Sequence, residues 1–314
     1  MLKVGLVGVG GISGAHIPAW DSMEDISLTA LCDIRPERME AYPDKHGYTD
    51  FEEMLQKEEL DILDICLPTY LHTDYALRAM ERGIHVLCEK PISLLAEDVD
   101  RLYGTARRCN VRFMVAQVLR FWPEYIRLKD ACASGAYGRV LSGSMTRLGG
   151  IPKWSWDGWM NDEARSGLVP FDLHIHDLDF LVYAFGAPRD VRSRRVRRPD
   201  QDYISVEYEY QGFFVTAQSS WFAAPYPFTA AYRFQFEHAI LSYENGKCML
   251  YQDDGSITDL TGAPVGDTGS INLPQSDAYA NEIRYFADCV RNGHSPDIVR
   301  PEELRSVIEL LKTL

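Results

Sequence analysis

The stretch Leu2-Lys-Val-Gly-Leu-Val7-Gly8-Val-Gly10-Gly11-Ile-Ser13-Gly14 decides how this chain is read. Its first six residues are nearly all apolar, the pattern of a strand buried on both faces of a parallel sheet. A glycine-rich turn follows, then a helix-like run to about Trp20. In a G-x-G-x-x-G turn the first glycine makes the tight bend and the second lets a pyrophosphate approach the backbone. The third keeps helix and strand close. Ser13 stands at the third position with Gly14 behind it, a small-residue departure.

The context strengthens the dinucleotide reading. Ser27–Cys32 reads as a second strand, and Asp33 stands at its C-terminal end, 25 residues after Gly8. An acid there binds ribose hydroxyls. A carboxylate also repels a 2′-phosphate, which favours NAD, while Arg35 and Arg38 keep NADP open. A glycine turn beside a surface aspartate is the plainer alternative.

Strand and helix patterns then alternate. Residues 51–57 read as helix, 61–67 as strand, 73–82 as helix, 84–88 as strand, 95–109 as helix and 111–118 as strand. That spacing implies a doubly wound parallel sheet with its ligand at the carboxyl ends of the strands. Two motifs fall at such ends: Leu67-Pro68-Thr-Tyr-Leu-His72 and Glu89-Lys90-Pro91. Lys90 is positioned to bind a hydroxyl and hold positive charge beside a developing alkoxide. The alternative is a solvated lysine at a strand end. His72 reads equally as a turn or interior histidine and as a cofactor contact.

A second informative stretch is Gly167-Leu-Val-Pro170-Phe-Asp172-Leu-His174-Ile-His176-Asp177-Leu-Asp179, running on to Gly186. At first sight it is a cluster of metal ligands. However, Phe171, Ile175, Leu178, Leu181 or Val182, and Phe185 recur every three to four residues, as on an amphipathic helix ended by glycine. On that helix Asp172, His176 and Asp179 share a face, and His174 points away from His176. The helical reading splits the ligands, so no metal site is expected. If the stretch were a strand, Asp172, His174 and His176 would share a face and the reading would reverse.

Composition sets outer bounds. The chain has 314 residues and a formal charge of -14, with 46% hydrophobic residues. The length suggests two domains. The acidity argues against nucleic acid or an anionic membrane as main partner. Seven cysteines without a C-x-x-C pair read as reduced core thiols of a cytoplasmic protein. No apolar run reaches the length of a membrane span.

After Pro123 a helix over 124–134 leads to strand-like Arg139–Leu148. The loop Trp154-Ser-Trp156-Asp-Gly-Trp159-Met-Asn161-Asp162 suits carbohydrate rings, and its tryptophans suit packing onto a sheet equally well. Six alternating segments between Val191 and Tyr251, with a hairpin turn at Asn245-Gly246, read as one large antiparallel sheet. The arginine-rich run Arg192–Arg198 reads as its solvated edge. Residues 263–274 read as a Gly/Pro-rich loop, and helices over 277–292 and 301–314 close the chain.

Taken together, the chain resembles the Gfo/Idh/MocA family, named for glucose–fructose oxidoreductase and inositol dehydrogenase. The glycine turn, Asp33, Pro68 with His72, Glu89-Lys90-Pro91, Arg120-Phe-Trp-Pro123, Asp172/His176/Asp179 and Tyr279-Ala-Asn-Glu282 carry the resemblance over nearly the whole chain. Thr69 stands for the family's usual Asn, His174 for its Gly, and Leu168 and Pro170 loosen its Gly-rich lead-in.

The resemblance implies a Rossmann domain over 1–120 and an α+β domain over 121–314 that carries a large, mostly antiparallel open sheet. It implies pairing through that sheet into a homodimer or homotetramer. Gly8, Gly10, Gly11, Ile12, Asp33, Arg35, Arg38, Leu67, Pro68, His72, Glu89, Lys90 and Gln117 are the expected cofactor contacts. Catalysis falls to His176 as general acid/base, with Lys90 and Asp172. Tyr125, Trp154, Trp156, Asn161 and His174 are the expected substrate contacts.

The expected reaction is NAD(P)-dependent oxidation of a secondary alcohol of a sugar, inositol or related polyol. A redox-recycling glycosidase or lyase would use the same residues. A non-catalytic dinucleotide sensor would have no need of Lys90, Asp172 and His176.

Overall fold

The computed structural model describes residues 1–262 and 277–314. The loop expected over 263–274 lies outside the described residues. The chain forms two compact units. The first comprises Met1–Val118 and Asp277–Arg305; the second comprises residues 119–262 and Ser306–Leu314. The expected division at residue 120 therefore needs a correction: part of the C-terminal region returns to the first unit. The apolar side of its helix packs against the helix after the glycine turn, a long-range contact that linear patterning does not encode.

The first unit runs β1 (Leu2–Val7), α1 (Ser13–Asp21), β2 (Ile26–Cys32), β3 (His46–Tyr48), α2 (Phe51–Lys57), β4 (Ile62–Ile65), α3 (His72–Met80), β5 (His85–Glu89), α4 (Ala96–Arg108) and β6 (Phe113–Ala116). The strands lie in the order β3-β2-β1-β4-β5-β6, and every neighbouring pair is parallel. This is the doubly wound arrangement with its switch point between β1 and β4. All four residues of β4 and of β6 are buried, as a sheet covered on both faces requires. Local chemistry sets the helix ends. Asp50 caps α2 by accepting from the Glu53 N–H at 2.8 Å, with Glu52 and Glu53 in the first turn and Lys57 in the last. The short strand β3 carries no alternating pattern, so nothing in its sequence announces it.

The second unit begins with α5 (Pro123–Ser134), β7 (Val140–Gly150), α6 (Glu163–Ser166) and α7 (Ile175–Phe185). Strands β8 (Asp190–Arg198), β9 (Gln201–Glu209), β10 (Phe214–Phe222), β11 (Thr229–Phe236), β12 (Ala239–Glu244), β13 (Lys247–Gln252) and β14 (Ile257–Asp259) follow. Their order is β14-β13-β12-β11-β7-β10-β9-β8. Neighbours are antiparallel except β7 and β10, which run parallel in register from Ser142↔Phe214 to Gly150↔Phe222. The chain lays β7 first, then flanks it with β10 on one side and β11 on the other. Asn245 and Gly246 both have positive φ, 51° and 74°, as a two-residue hairpin demands. The arginine-rich β8 is the outer edge of the sheet, with mostly exposed side chains.

The C-terminal helices are α8 (Ala278–Asn292) and α9 (Pro301–Leu311), and α8 packs against α1. Among the described residues no helix is long and apolar enough to cross a membrane.

Candidate active site

The glycine turn of the first unit is built for close approach. Gly8 has φ +94°, and a Cβ there would lie 2.6 Å from the Cys66 carbonyl oxygen, so the position requires glycine. A Cβ at Gly10 would meet nothing within 4 Å, so the turn has open space over that glycine. Ser13 turns its hydroxyl back to the Gly10 carbonyl (2.8 Å) and is the first residue of α1, which explains why serine substitutes for the third glycine. Asp33, at the end of β2, accepts the Val9 N–H at 2.9 Å and the Arg35 N–H at 2.9 Å. Arg35 Nε also donates to Asp33 Oδ1 (3.1 Å), and Arg38 Nε donates to the Val9 carbonyl (2.8 Å). The acid braces the glycine turn, and both arginines stand beside it. Gly11 and Ile12 make the turn into α1, with Gly11 exposed and Ile12 half-buried. These residues suit a dinucleotide: room over Gly10, a helix N-terminus after it and a carboxylate at the next strand end.

Lys90 follows β5 at the same carboxyl edge and is half-buried; the peptide joining it to Pro91 is cis. Leu67 and Pro68, after β4, are half-buried there too. Three expected cofactor contacts are buried, and two of them, His72 and Glu89, turn their side chains to the protein itself. His72 is buried, with Nδ1 2.8 Å from the Pro91 carbonyl and Nε2 2.7 Å from the Leu67 carbonyl. It ties the loop after β4 to the loop after β5. Burial, first of all, pushes its pKa down. Glu89 is buried between His16 and its neighbour's amide: His16 Nε2 lies 3.1 Å from Oε1, and the Lys90 N–H donates to Oε2 at 3.0 Å. Gln117 is buried after β6.

In the second unit the decisive segment surrounds α7. Gly167 has φ +73°, and a Cβ there would strike the Phe171 ring. Leu168 also adopts a left-handed φ, +60°, where a glycine would be free of strain. Pro170–His174 then forms a π-helical turn ahead of α7. Such turns are over-represented at functional sites. Across residues 168–182 every residue is buried except Asp172 and His176. The expected pair is thus the one carboxylate and one imidazole that this segment leaves accessible.

The neighbours are turned inward. Asp179 takes a two-pronged ion pair from Arg120, Nε to Oδ2 at 2.9 Å and Nη2 to Oδ1 at 2.7 Å, with both side chains buried. Its share of the Asp172/His176 face is therefore only nominal, because its carboxylate is engaged in the interior. Asp177 accepts from Arg147 of β7 at 2.7 Å, and the same guanidinium nitrogen donates to the Tyr125 hydroxyl at 3.1 Å. Burial, only partly opposed by Arg147, raises the Asp177 pKa.

Two expected substrate contacts are corrected here. Tyr125 is 1% exposed and sits among Phe180, Tyr232 and Tyr243, with its hydroxyl on Arg147. His174 is fully buried, with Nε2 2.6 Å from the Tyr208 hydroxyl and Nδ1 3.0 Å from the Ser219 hydroxyl. It fills the place of the family's glycine by bonding to β9 and β10. Burial and then the nearby Arg147 push its pKa down to about 3. Asn161 is exposed, and Trp154 and Trp156 are 73% and 40% exposed.

Three buried pairings escaped the sequence reading: those of His16, Arg120 and Arg147. His16 lies in α1 three residues after Ser13 and is fully buried. Its Nδ1 lies 2.8 Å from Asp64 Oδ2, and with Cys66 these form a group whose donor atoms lie within 4.8 Å of one another. Its signal was a histidine and a strand aspartate in otherwise apolar runs, 48 residues apart, which only folding brings together.

Comparison with known proteins accords with this geometry. Residues 2–117 match the model of an oxidoreductase family with an NAD-binding Rossmann fold, and residues 125–247 match a GFO/IDH/MocA C-terminal domain. The chain is 29% identical over 194 residues to D-glucoside 3-dehydrogenase of Escherichia coli (strain K12), covering 60% of this chain and 55% of that protein. It thus spans little more than half the length of such curated relatives. Against D-xylose 1-dehydrogenase (NADP(+)) 2 of Haloferax volcanii it is 27% identical, covering 96% of this chain and 93% of the other. A solved levoglucosan dehydrogenase, in complex with NADH and levoglucosan, has the same fold: TM-score 0.83, 18% identity, covering 99% of this chain and 95% of that one.

Proposed function

Because the chain belongs to the GFO/IDH/MocA oxidoreductase family, we propose that it moves hydride between a nicotinamide dinucleotide and a secondary alcohol of a sugar, inositol or related polyol. The observation that carries this reading is the accessibility of Asp172 and His176 alone in an otherwise buried segment. The names of the relatives, glucoside and xylose dehydrogenases, support the substrate class.

The glycine turn, with Asp33 behind it, holds the dinucleotide, which when bound supplies the hydride acceptor or donor. His176 exchanges the hydroxyl proton, since an imidazole titrates near working pH. Asp172, one turn earlier, orients that imidazole or binds a neighbouring hydroxyl. Lys90 stabilises negative charge on the reacting oxygen. Asp33 favours NAD, and the two arginines beside it leave NADP a weaker second cofactor. Trp154, Trp156 and Asn161 receive the apolar faces and hydroxyls of the sugar.

A screen of sugars, glycosides, inositols and polyols with NAD and with NADP, followed at the NADH absorbance, tests the proposal. Substrate-dependent accumulation of reduced cofactor is expected. Turnover of a glycoside without accumulation would assign the redox-recycling hydrolase or lyase instead. Full activity of His176→Ala on the substrate found would overturn the assignment of the proton to His176.

A further inference from the structure

His16 differs from the other buried histidines in the charge of its partners: His72 lies between two neutral carbonyl oxygens and His174 between two hydroxyls. Each His16 ring nitrogen faces a carboxylate: Nδ1 stands 2.8 Å from Asp64 Oδ2 at the end of β4, and Nε2 stands 3.1 Å from Glu89 Oε1 at the end of β5. A neutral imidazole has one N–H and one lone pair, so one of these contacts would set a lone pair against an acceptor. That clash disappears only if a carboxylate or the imidazole takes an extra proton.

The surroundings decide which. Asp64 Oδ2 also receives the Trp20 indole N–H at 2.7 Å, and Asp64 Oδ1 faces the Cys66 thiol at 3.8 Å. Burial, with the charge of Asp64 adding to it, pushes the Cys66 thiol up to about 12, so it remains a donor. Glu89 Oε2 receives the Lys90 N–H. Besides His16, Asp64 thus accepts from two donors and Glu89 from one, so both act as acceptors toward the ring. From α8 the facing group is Tyr279, whose ring centre lies 5.8 Å from the imidazole.

We propose that His16 is a permanently doubly protonated imidazolium that clamps Asp64 to Glu89 and so positions Lys90. This inference extends the proposed function, since the value of placing Lys90 rests on that reading. Burial alone would push the His16 pKa down; the charge of Asp64, then Cys66 and the Asp64 hydrogen bond, together outweigh it and hold the pKa well above the ordinary value. The clamp joins the helix after the glycine turn to both strand ends that carry the expected motifs. Through the Glu89 carboxylate, which accepts the Lys90 N–H, it fixes the backbone from which the lysine side chain springs. His16 is a positioning residue that acts through Glu89. The same contacts argue against a metal on His16, Asp64 and Cys66, because the Asp64 oxygen that would be a ligand already accepts two hydrogen bonds.

Nitrogen-15 NMR of histidine-labelled, substrate-free protein tests the protonation directly. Both His16 nitrogens are expected to remain protonated above neutral pH, with His16→Gln supplying the assignment. A singly protonated ring there, or a stoichiometric metal by elemental analysis, would overturn the proposal. The positioning role is read from the rate at which acetic anhydride acylates Lys90, which needs no substrate. His16→Gln is expected to change it several-fold, and an unchanged rate would refute the clamp.

On a substrate from the screen, His16→Gln and Glu89→Gln should each lower kcat about ten- to hundred-fold with little change in the KM for NAD. The double variant should be no worse than the poorer single one; losses that multiply would mean that His16 does not act through Glu89. An enzyme inactive on every compound would defeat the proposed function and leave the NMR and acylation results standing.

Discussion

Two buried histidines differ in charge because their partners differ in chemistry. His16 faces carboxylates, which only accept, whereas His174 faces two hydroxyls, which can donate or accept and so leave the ring neutral. For His174 the consequence is acid sensitivity. Its folded pKa of about 3 lies below the ordinary value, so as pH falls the unfolded chain takes the proton first. The stability it contributes is fully present above about pH 6.5 and is lost as pH drops toward 3 at roughly 1.4 kcal/mol per unit. A urea midpoint series from about pH 7 to about pH 4 should fall less steeply for His174→Gln than for the parent chain.

Asp33 carries a second residue-scale expectation. Replacing it with Ala removes the charge that repels a 2′-phosphate and leaves Arg35 and Arg38 to attract one. The kcat/KM ratio of NADP to NAD should rise about tenfold or more, while the KM for NAD rises because the Val9 N–H loses its acceptor.

At the scale of the element, α7 divides its acids by burial. Asp179 holds the buried Arg120 guanidinium, so Asp179→Ala removes one side of a buried two-pronged ion pair and should cost about 3–5 kcal/mol in urea unfolding. Asp172→Asn, at a half-buried position, should leave unfolding nearly unchanged and lower kcat instead. The contrast between stability and turnover separates the two roles. Gly167→Ala should destabilise the lead-in by more than ~1 kcal/mol, because its φ is positive and its Cβ would meet the Phe171 ring. The helical period foretold this element and its glycine stop, and it excluded the strand reading under which Asp172, His174 and His176 would align. It was silent on which acids are paired, because the partner arginines arrive from 59 and 30 residues away.

At the scale of the whole molecule, the sheet of the second unit alternates buried and partly open positions, for example Val215 and Ala217 against Phe214 and Gln218. Phe214, Ile240 and Tyr251 remain exposed on its strands, apolar surface of the kind that self-association covers. Light scattering is expected to give twice or four times the protomer mass, and Phe214→Glu with Tyr251→Glu should lower it; a monomer in the parent chain would refute pairing through this sheet.

What the sequence determined by itself was whatever depends on short-range pattern. Apolar runs and glycine turns set the parallel sheet, two-residue alternation set the second sheet, and helical spacing placed Asp172 and His176 one turn apart. Tertiary structure alone decided the occupation of each polar group. It turned His72, Glu89 and His174 inward, moved Tyr125 into the core, assigned Asp177 and Asp179 to arginines, and brought His16 between two strand ends. The physical reason is that a strand or helix is specified by neighbours a few residues away. The protonation and availability of a side chain are set by burial and by partners that folding delivers from anywhere in the chain.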